Sequence, residues 1–588
     1  ESGYLRLREI GSLRMHPLWI QFHEGQRVRV LTRGGPIRGA AIVKSTHLQR
    51  GRIPNGPLAT LDDLWIDVGA SSQTDARRLG IELLDPVVRD FSSWSYADYV
   101  AGPLAGVRVG CAALATAARG EVRSGETTFV ISTLRSFGND GLEAALRKIG
   151  RVDELTLVDQ VAGNSADSVR QQNLDKPSFL PASTGITSIR VVGPNLRFSG
   201  SLVESVGLAD AEALLAEVSR AAGVTGAESF FPVPAPESTA ARPKDLLSPV
   251  ADLLKTLADI PAVSGHEREV REAILAALPA WARQLAKTDP DGNLIVEAGP
   301  DREPEMFIAH QDEVGFEITN IAADGVVALR ARGGLFPALW EGQPALLHFD
   351  SSAGDKVRPP LSGIFVPREN AITKQPEALT AWFGMDGVEL KRLGVTIGQS
   401  ITADKHATRI GTSRFTARAL DDRAGSTALV LAAGRINPAT LRHKVILAWS
   451  VREETGLGGA MSMARSYGSK LRRVFSIDTF VSSDSPVEST RFAFTPLGQG
   501  AVIRGLDNSS VISPSDLNRV LNIARARQIP MQVGATNGGT DGSDFVRYGA
   551  PNVSLSWPGR YSHSPVEVLD LRDLDALVRL ISALAVAP

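Results

Sequence analysis

The sequence predicts an α/β fold with a mixed sheet, helices on both faces of that sheet and an inserted β-rich domain. Short apolar runs alternate with helix-like segments in the C-terminal half, at Met306–Ala309, Val445–Val451, Val474–Ile477 and Val553–Trp557. This alternation is typical of a sheet that helices cover. Between residues 321 and 410 the pattern changes to short strands separated by Gly and Pro, which indicates a β-rich insertion.

The length of the chain predicts several domains, because 588 residues exceed what one hydrophobic core usually supports. We expect the main α/β domain to comprise residues 246–320 and 411–588, on either side of the insertion. Residues 230–245 contain four prolines and no periodic apolar pattern, which predicts a linker. After this linker, Ser264 and Glu267 have the spacing of a capping box, so we expect Ser264 to cap a helix.

Composition excludes several classes of partner and site. The 63 basic and 65 acidic residues nearly balance, which gives no indication of binding to nucleic acid or to an anionic membrane. Cys111 is the only cysteine, so the chain can form neither an intrachain disulfide nor a thiolate zinc cluster. No apolar run approaches the ~20 residues that cross a bilayer, and no secretory leader is visible, so we expect a cytoplasmic protein.

An eroded internal repeat relates the two halves of the chain. Glu24-Gly-Gln26 matches Glu341-Gly-Gln343, and Arg78-Leu-Gly80 matches Arg392-Leu-Gly394 in the same order. Farther along, Arg108-Val-Gly110 matches Arg423-Ala-Gly425. The repeat predicts a second, degenerate copy at the N-terminus: a β-rich domain at 1–100 and a partial α/β domain at 101–229.

A histidine and an aspartate follow the first predicted strand of the C-terminal half. His310 directly follows the apolar run that ends at Ala309, and Asp312 lies two residues farther on. Ligands of open α/β sheets bind beyond the carboxyl ends of the strands, which makes His310 a candidate metal ligand. Asp312 would then orient the imidazole, as carboxylates often do beside metal-bound histidines. A solvated acidic loop is the alternative.

Two pairs of adjacent carboxylates occur at other element ends. Asp421 and Asp422 precede a helix that we expect to begin near Gly425, where one carboxylate could bridge two cations or simply cap the helix. Glu453 and Glu454 follow the run that ends at Val451. Two such neighbours repel each other unless cations neutralise them or one takes up a proton. Adjacent side chains point apart, so one can bind a metal while the other faces water.

Asp478 and His563 complete the candidate set. Asp478 ends an apolar run, and His563 follows another in Arg560-Tyr-Ser-His-Ser-Pro565. With His310, Asp421 and Glu454 they offer nitrogen and oxygen ligands for two metals, each with an open position for water.

The segment from Leu246 to Pro588 resembles the metallo-aminopeptidase family of glutamyl, deblocking and tetrahedral (dodecameric) aminopeptidases. The motifs that carry this resemblance are AHQDEVGF at 309–316, ALDDRAG at 419–425, EETGLGGA at 453–460, GGTDGSDF at 538–545 and RYSHSP at 560–565. The resemblance implies that Asp421 bridges two metals, with His310 and Asp478 completing one site and Glu454 and His563 the other. It further implies that Glu453 is the general base and that Asp312 orients His310.

The resemblance also implies a cofactor, a substrate class and an assembly. We expect two divalent metal ions per chain, zinc first and cobalt or manganese as alternatives, since such ligands accept all three. The expected substrates are peptides with a free N-terminus, and the expected assembly is a homo-oligomer or an internal pseudo-dimer. Another two-metal amidohydrolase, such as a deacylase or carboxypeptidase, and a scaffold module without activity are the competing interpretations.

The N-terminal copy departs from the family pattern. By the repeat, Gly106 and Val107 occupy the positions of Asp421 and Asp422, and the segment Arg135–Asn139 replaces the glutamate pair. No histidine occurs between His47 and His266, and only Asp159, near the position of Asp478, remains. We therefore expect this copy to be non-catalytic.

Overall fold

The computed structural model describes most of the chain. The described residues are 3–9, 16–48, 56–90, 92–161, 167–231, 245–349, 357–369, 372–404 and 406–587. The predicted linker at 230–245 lies almost wholly outside these residues. In the described part of the chain, no helix has both the length and the apolar character that crossing a bilayer requires.

The N-terminal half begins with strands and continues with helices and small sheets. Its strands are β1 (Leu5–Arg6), β2 (Arg27–Thr32), β3 (Gly35–Ala41), β4 (Trp65–Asp67), β5 (Val87–Arg89), β6 (Trp94–Tyr96), β7 (Tyr99–Ala101), β8 (Glu121–Val122), β9 (Thr156–Val158), β10 (Val169–Asp175), β11 (Ser188–Pro194), β12 (Ser205–Gly207) and β13 (Val224–Thr225). Its helices are α1 (Gln73–Arg78), α2 (Ala105–Ala117), α3 (Asp140–Ile149) and α4 (Leu208–Ala221).

These elements form one antiparallel sheet and several smaller sheets. The five-stranded sheet has the order β1-β4-β3-β2-β5. Smaller sheets follow in the orders β10-β11-β9, β12-β7-β6 and β13-β8. Helices α2 and α4 pack on each other and on β11 through a cluster that includes Ala113, Val192 and Leu214.

The C-terminal half is larger, and its described residues form long helices and seventeen strands. The strands are β14 (Ala286–Thr288), β15 (Leu294–Ala298), β16 (Glu305–His310), β17 (Gly315–Ile321), β18 (Val327–Arg332), β19 (Pro344–Leu347), β20 (Leu361–Phe365), β21 (Thr380–Trp382), β22 (Ser400–Ala403), β23 (Thr408–Ile410), β24 (Arg414–Ala417), β25 (Val445–Ser450), β26 (Arg473–Val481), β27 (Ala501–Leu506), β28 (Met531–Ala535), β29 (Leu555–Gly559) and β30 (Glu567–Asp570). The helices are α5 (Ser248–Asp259), α6 (Arg268–Ala277), α7 (Ala280–Leu285), α8 (Gly387–Arg392), α9 (Leu420–Arg435), α10 (Gly458–Tyr467), α11 (Pro514–Ala526), α12 (Ser543–Val546) and α13 (Leu571–Ala585).

An eight-stranded mixed sheet forms the centre of the C-terminal half, in the order β14-β15-β25-β16-β26-β29-β27-β28. Its four central strands, β25, β16, β26 and β29, are parallel to one another. Alternate residues of β16 serve opposite faces: Met306 and Ile308 pack under α10 and α12, whereas Phe307 and Ala309 pack under α5, α9 and α13. The predicted α/β class with helices on both faces is confirmed.

A closed six-stranded barrel, β17-β18-β21-β20-β19-β22, lies between β16 and α9 along the chain. Its strands run from Gly315 to Ala403, so this barrel occupies the region in which the sequence predicts a β-rich insertion at 321–410. A three-stranded antiparallel sheet, β23-β24-β30, follows it and carries the chain back to the start of α9.

Two local predictions were wrong. Ser264 does not cap a helix, because α6 begins at Arg268 and the Ser264 hydroxyl bonds to the Thr455 hydroxyl at 2.8 Å. The Glu267 carboxylate accepts from the backbone N–H of Arg452 at 3.0 Å, so both polar groups support the loop after β25 instead. Asp478 is not a strand end either, because β26 continues to Val481.

Candidate active site

The predicted site residues come together at one edge of the central sheet. His310 ends β16, Glu453 and Glu454 follow β25, Asp478 lies in β26, and the loop after β29 carries His563; the start of α9 adds Asp421. The central strands are parallel, so their carboxyl ends meet at this edge, as in other open α/β sheets.

Five of these side chains form two overlapping groups with the geometry of metal ligands. One group contains His310, Asp421 and Asp478, and the other contains Asp421, Glu454 and His563; within each, the donor atoms lie within 4.8 Å of one another. Asp421 belongs to both groups. Its Oδ1 lies 3.3 Å from His310 Nε2 and its Oδ2 lies 3.6 Å from His563 Nε2. His310, Glu453 and Glu454 form a third group of this kind.

Glu567 holds the backbone of two of these residues. One of its carboxylate oxygens accepts from the N–H of Asp421 at 3.0 Å and the other from the N–H of His563 at 2.7 Å. His563 Nδ1 donates to the carbonyl of Gly334 at 2.5 Å, which directs Nε2 towards Glu454 Oε2, 3.3 Å away. Asp421 and Asp422 have non-helical backbone angles although they lie within α9, so the regular helix begins only after them.

Asp312 links three residues of the site. Its two carboxylate oxygens accept from the backbone N–H groups of Glu453 and Glu454 at 3.0 and 3.2 Å. The same carboxylate lies 3.5 Å from His310 Nδ1, while the Asp312 carbonyl oxygen is 3.2 Å from that nitrogen. Asp312 thereby fixes the glutamate loop as well as the imidazole.

Most carboxylates of the cluster have raised pKa values because they are buried close to one another. Burial raises the pKa of Glu453 and of Glu454 well above the usual glutamate value, and it raises the pKa of Asp478 to about 7. Burial opposes ionisation of Asp421 too, but the hydrogen bond with His310 and the charge of His563 hold its pKa below the ordinary value.

This donor set fits divalent cations. Glu454 is 4% exposed at its side chain, and its Oε1 has no hydrogen-bond partner among the described residues. A buried carboxylate oxygen of this kind is costly unless a cation or a donor meets it. Two histidines and three carboxylates at these distances match the nitrogen and oxygen ligands of zinc and related metals.

Arg504 and His47 line one cavity together with Asp421, Glu453 and Asp478, and Asp541 lies close to Glu453 and Asp478. None of these three further residues was predicted. Asp541 accepts a hydrogen bond from the Ser450 hydroxyl, and burial raises the pKa of Asp541 to about 6. It lies in the GGTDGSDF motif, a signal that could have identified it. Arg504, in β27, lies 3.3 Å from Asp478 Oδ1. His47, from the N-terminal half, also lines the cavity, and its local sequence contains no signal of this position.

Comparison with known proteins identifies relatives of the chain. A model of the family described as M42 glutamyl aminopeptidase matches residues 1–178 and 292–580. A lysyl aminopeptidase of Pyrococcus furiosus is 28% identical over 353 residues, which cover 57% of this chain and 96% of the relative.

Solved structures of similar proteins match the same proportion of the chain. The TET1 peptidase of Pyrococcus horikoshii, which can assemble into a tetrahedron or a large octahedral shell, is 34% identical with a TM-score of 0.52. That match covers 57% of this chain and 99% of the other. An aminopeptidase of Desulfurococcus kamchatkensis is 26% identical with a TM-score of 0.53, over 58% of this chain and 96% of the other. Little more than half of this chain therefore matches almost all of each relative.

Proposed function

The chain belongs to the M42 glutamyl aminopeptidase family and is a peptide hydrolase, and we propose that it removes N-terminal residues from peptides at the cavity described above. The observation that supports this proposal most is the pair of overlapping ligand groups that share Asp421. The family is metal-dependent, and a shared carboxylate between two triads is the arrangement that two-metal hydrolases use.

We assign the five residues of these groups, His310, Asp421, Glu454, Asp478 and His563, as ligands of two divalent ions. Zinc is our first assignment, and cobalt or manganese suits the same nitrogen and oxygen donors. When bound, such ions polarise a scissile carbonyl and lower the pKa of a water towards about 7.

Glu453 is the general base in this proposal. Its backbone N–H donates to the Asp312 carboxylate at 3.0 Å, which fixes this residue beside the ligands. Glu453 is not itself one of the five proposed ligands. The charge of Asp478 adds to burial in raising the pKa of Glu453, which favours a carboxylate that accepts a proton. Glu453 takes the proton from the attacking water and returns it to the leaving amine, and Asp312 orients His310.

The experiment that tests this function compares peptides with free and blocked N-termini. The purified chain, supplied with zinc, cobalt or manganese in turn, should cleave aminoacyl chromogenic substrates and spare their N-acetylated counterparts. Efficient hydrolysis of the acetylated set would instead make the chain a deacylase or an endopeptidase. Absence of turnover with every metal would favour a scaffold module.

The N-terminal half is, we further propose, a degenerate copy of the catalytic unit. Strand β12 pairs antiparallel with β7, as β30 pairs with β24. Helix α2 follows β7 and packs on α4, which follows β12; in the same way α9 follows β24 and packs on α13, which follows β30. Two strand–helix units therefore recur in the same order and with the same pairing.

A shared hydrogen-bond pattern supports this correspondence at the ligand positions. The Glu204 carboxylate accepts from the N–H of Gly106 and of Gly200, each at 2.8 Å. Glu567 accepts from Asp421 and His563 in the same way. By this correspondence Gly106 stands where the C-terminal half has Asp421, and Gly200 stands where it has His563.

An arginine supplies positive charge beside Asp159, the carboxylate that corresponds to the proposed ligand Asp478. Arg135, from the segment that aligns with the glutamate pair, forms an ion pair with Asp159 at 2.8 Å. A guanidinium there supplies positive charge to a carboxylate that would otherwise need a cation. This contact supports our assignment of the N-terminal copy as non-catalytic.

Reciprocal contacts between the halves support an internal pseudo-dimer. Gln26 Nε2 donates to the Leu339 carbonyl at 3.0 Å, and Gln343 Nε2 donates to the Phe22 carbonyl at 3.0 Å. Gln26 and Gln343 are equivalent by the repeat, and Phe22 and Leu339 are separated from them by the same number of residues. Contacts that occur in both directions are the signature of a two-fold interface. We propose that this interface replaces a contact between two chains, and that further homo-oligomerisation uses other surfaces.

A further inference from the structure

We infer that His47, which belongs to the non-catalytic N-terminal half, is a catalytic residue of the C-terminal site. It donates a hydrogen bond to the oxygen of the scissile carbonyl as that oxygen gains negative charge. The inference rests on the proposed aminopeptidase function. It adds a role that the five ligands and Glu453 leave unfilled, because none of them is a neutral donor facing the substrate.

The backbone around His47 is held by the C-terminal half. Past the end of β3 the chain runs to a short 3-10 helix, Thr46–Leu48. On this path the Ser45 hydroxyl accepts from the N–H of Tyr561 at 3.1 Å, and the Thr46 N–H donates to the Ser562 carbonyl at 3.3 Å. Asn537 Nδ2 donates to the His47 carbonyl at 2.9 Å. Three contacts from two loops of the catalytic domain thus fix this segment at the cavity.

The ring itself lies directly beside the proposed ligands. Its centroid is 4.5 Å from that of His563, with an angle of 71° between the planes. Gly538 leaves room for it: a Cβ at Gly538 would lie 3.3 Å from His47 Cδ2, and the φ of +99° at this residue also disfavours a side chain. The ring, Glu453 and Asp478 line one cavity.

The hydrogen bonds of the ring leave a donor for the substrate. His47 Nδ1 lies 3.2 Å from the Ser562 hydroxyl. When that hydroxyl donates to Nδ1, the ring proton resides on Nε2. Among the residues that the structure describes, Nε2 has no hydrogen-bond partner. A fixed N–H group at the wall of the cavity is the kind of donor that stabilises a developing oxyanion.

Of the two stretches that correspond by the repeat, only the N-terminal one supplies such a histidine to the other half. The stretch from Gln26 to Arg78 corresponds by the repeat to the stretch from Gln343 to Arg392. The only histidine in the second stretch is His348, which directly follows β19 and bonds to the Thr402 hydroxyl at 2.8 Å. A pseudo-dimer with one active site needs such a donor from one half alone, and the N-terminal half is the one that carries it.

Substitution of His47 in the full chain tests the inference. His47→Ala should lower kcat about 100-fold on an aminoacyl substrate while KM changes little, as on removal of other oxyanion donors. His47→Gln places an amide N–H near the position of Nε2 and should recover part of the rate, whereas His47→Asn reaches only the position of Nδ1 and should not. His23→Ala, in the same half, is the matched control and should keep the wild-type rate.

Binding provides a readout that does not depend on turnover. Calorimetric titration with the phosphonic acid analogue of leucine, a tetrahedral mimic, should show weaker binding to His47→Ala by a factor similar to the loss in kcat/KM. Metal content and the urea unfolding midpoint should stay at wild-type values.

The outcomes separate this inference from the proposed function. A wild-type chain that cleaves free-amine substrates together with a His47→Ala variant within threefold of it in rate and in analogue binding would overturn the role of His47 alone. Equal losses in the Gln and Asn variants would do the same. A wild-type chain without aminopeptidase activity would overturn the proposed function itself.

Discussion

Replacing Asp478 with asparagine should stabilise the metal-free protein at alkaline pH. Burial raises the pKa of Asp478 from the ordinary value of 3.8 to about 7. Between these values the unfolded chain has lost a proton that the folded chain keeps, so the free energy of unfolding falls as the pH rises from about 4 to 7. The difference between the two pKa values corresponds to about 4 kcal/mol in the free energy of unfolding. Asp478→Asn removes this loss, and the variant should therefore exceed the wild type by up to about this amount at pH 8.

Urea unfolding in the presence of a chelator, at pH 5 and pH 8, measures this effect. Zinc should raise the free energy of unfolding of the wild type at pH 8, because a bound metal would stabilise the ionised Asp478 carboxylate. The same addition should raise the free energy of unfolding of Asp478→Asn much less. Asp573 in α13 provides a matched control, since burial raises its pKa to about 7 as well. Asp573→Asn should reduce the pH dependence of the free energy of unfolding by the same amount with and without zinc. Identical pH profiles for wild type and Asp478→Asn without metal would refute the reasoning.

Two further predictions concern the base and the interface. Glu453→Gln should lower kcat by about 10²–10⁴-fold with metal content unchanged, whereas Asp421→Asn should lose both metal and activity. A near-normal rate in a Glu453→Gln protein with full metal content would exclude Glu453 as the base. Phe22→Ala should lower the free energy of unfolding by about 3–5 kcal/mol in urea titrations, because Phe22 is fully buried and lies against Gly342 of the other half. An unchanged unfolding midpoint would contradict the pseudo-dimer.

The central sheet and the set of candidate ligands could be predicted because each depends on short-range sequence patterns. Fully buried parallel strands such as β16 and β25 need continuous apolar runs, and these runs are visible in the sequence. Polar residues that come one or two positions after such runs, as His310 and Glu453 do, then lie at the carboxyl edge of the sheet.

Features that depend on distant partners could not be predicted. Ser264 and Glu267 match a capping box, but the Thr455 hydroxyl and the Arg452 N–H compete successfully for them because the loop after β25 lies against them. The position of His47 depends on packing between halves of the chain that are more than 500 residues apart at Ser562. Closure of the barrel likewise follows from strand order, which Gly and Pro punctuation does not specify.

Metal analysis of the full chain tests the central claim most directly, since that claim is one two-metal site in a fused pair of units. Plasma emission measurements on protein saturated with zinc and then freed of excess metal should give about two ions per chain. Asp421→Asn should give fewer than one, and Arg135→Ala should leave the wild-type value unchanged. A value near four would mean that the N-terminal half also binds a metal pair. A value near zero would mean that the C-terminal cluster binds no metal, and either result would contradict the account.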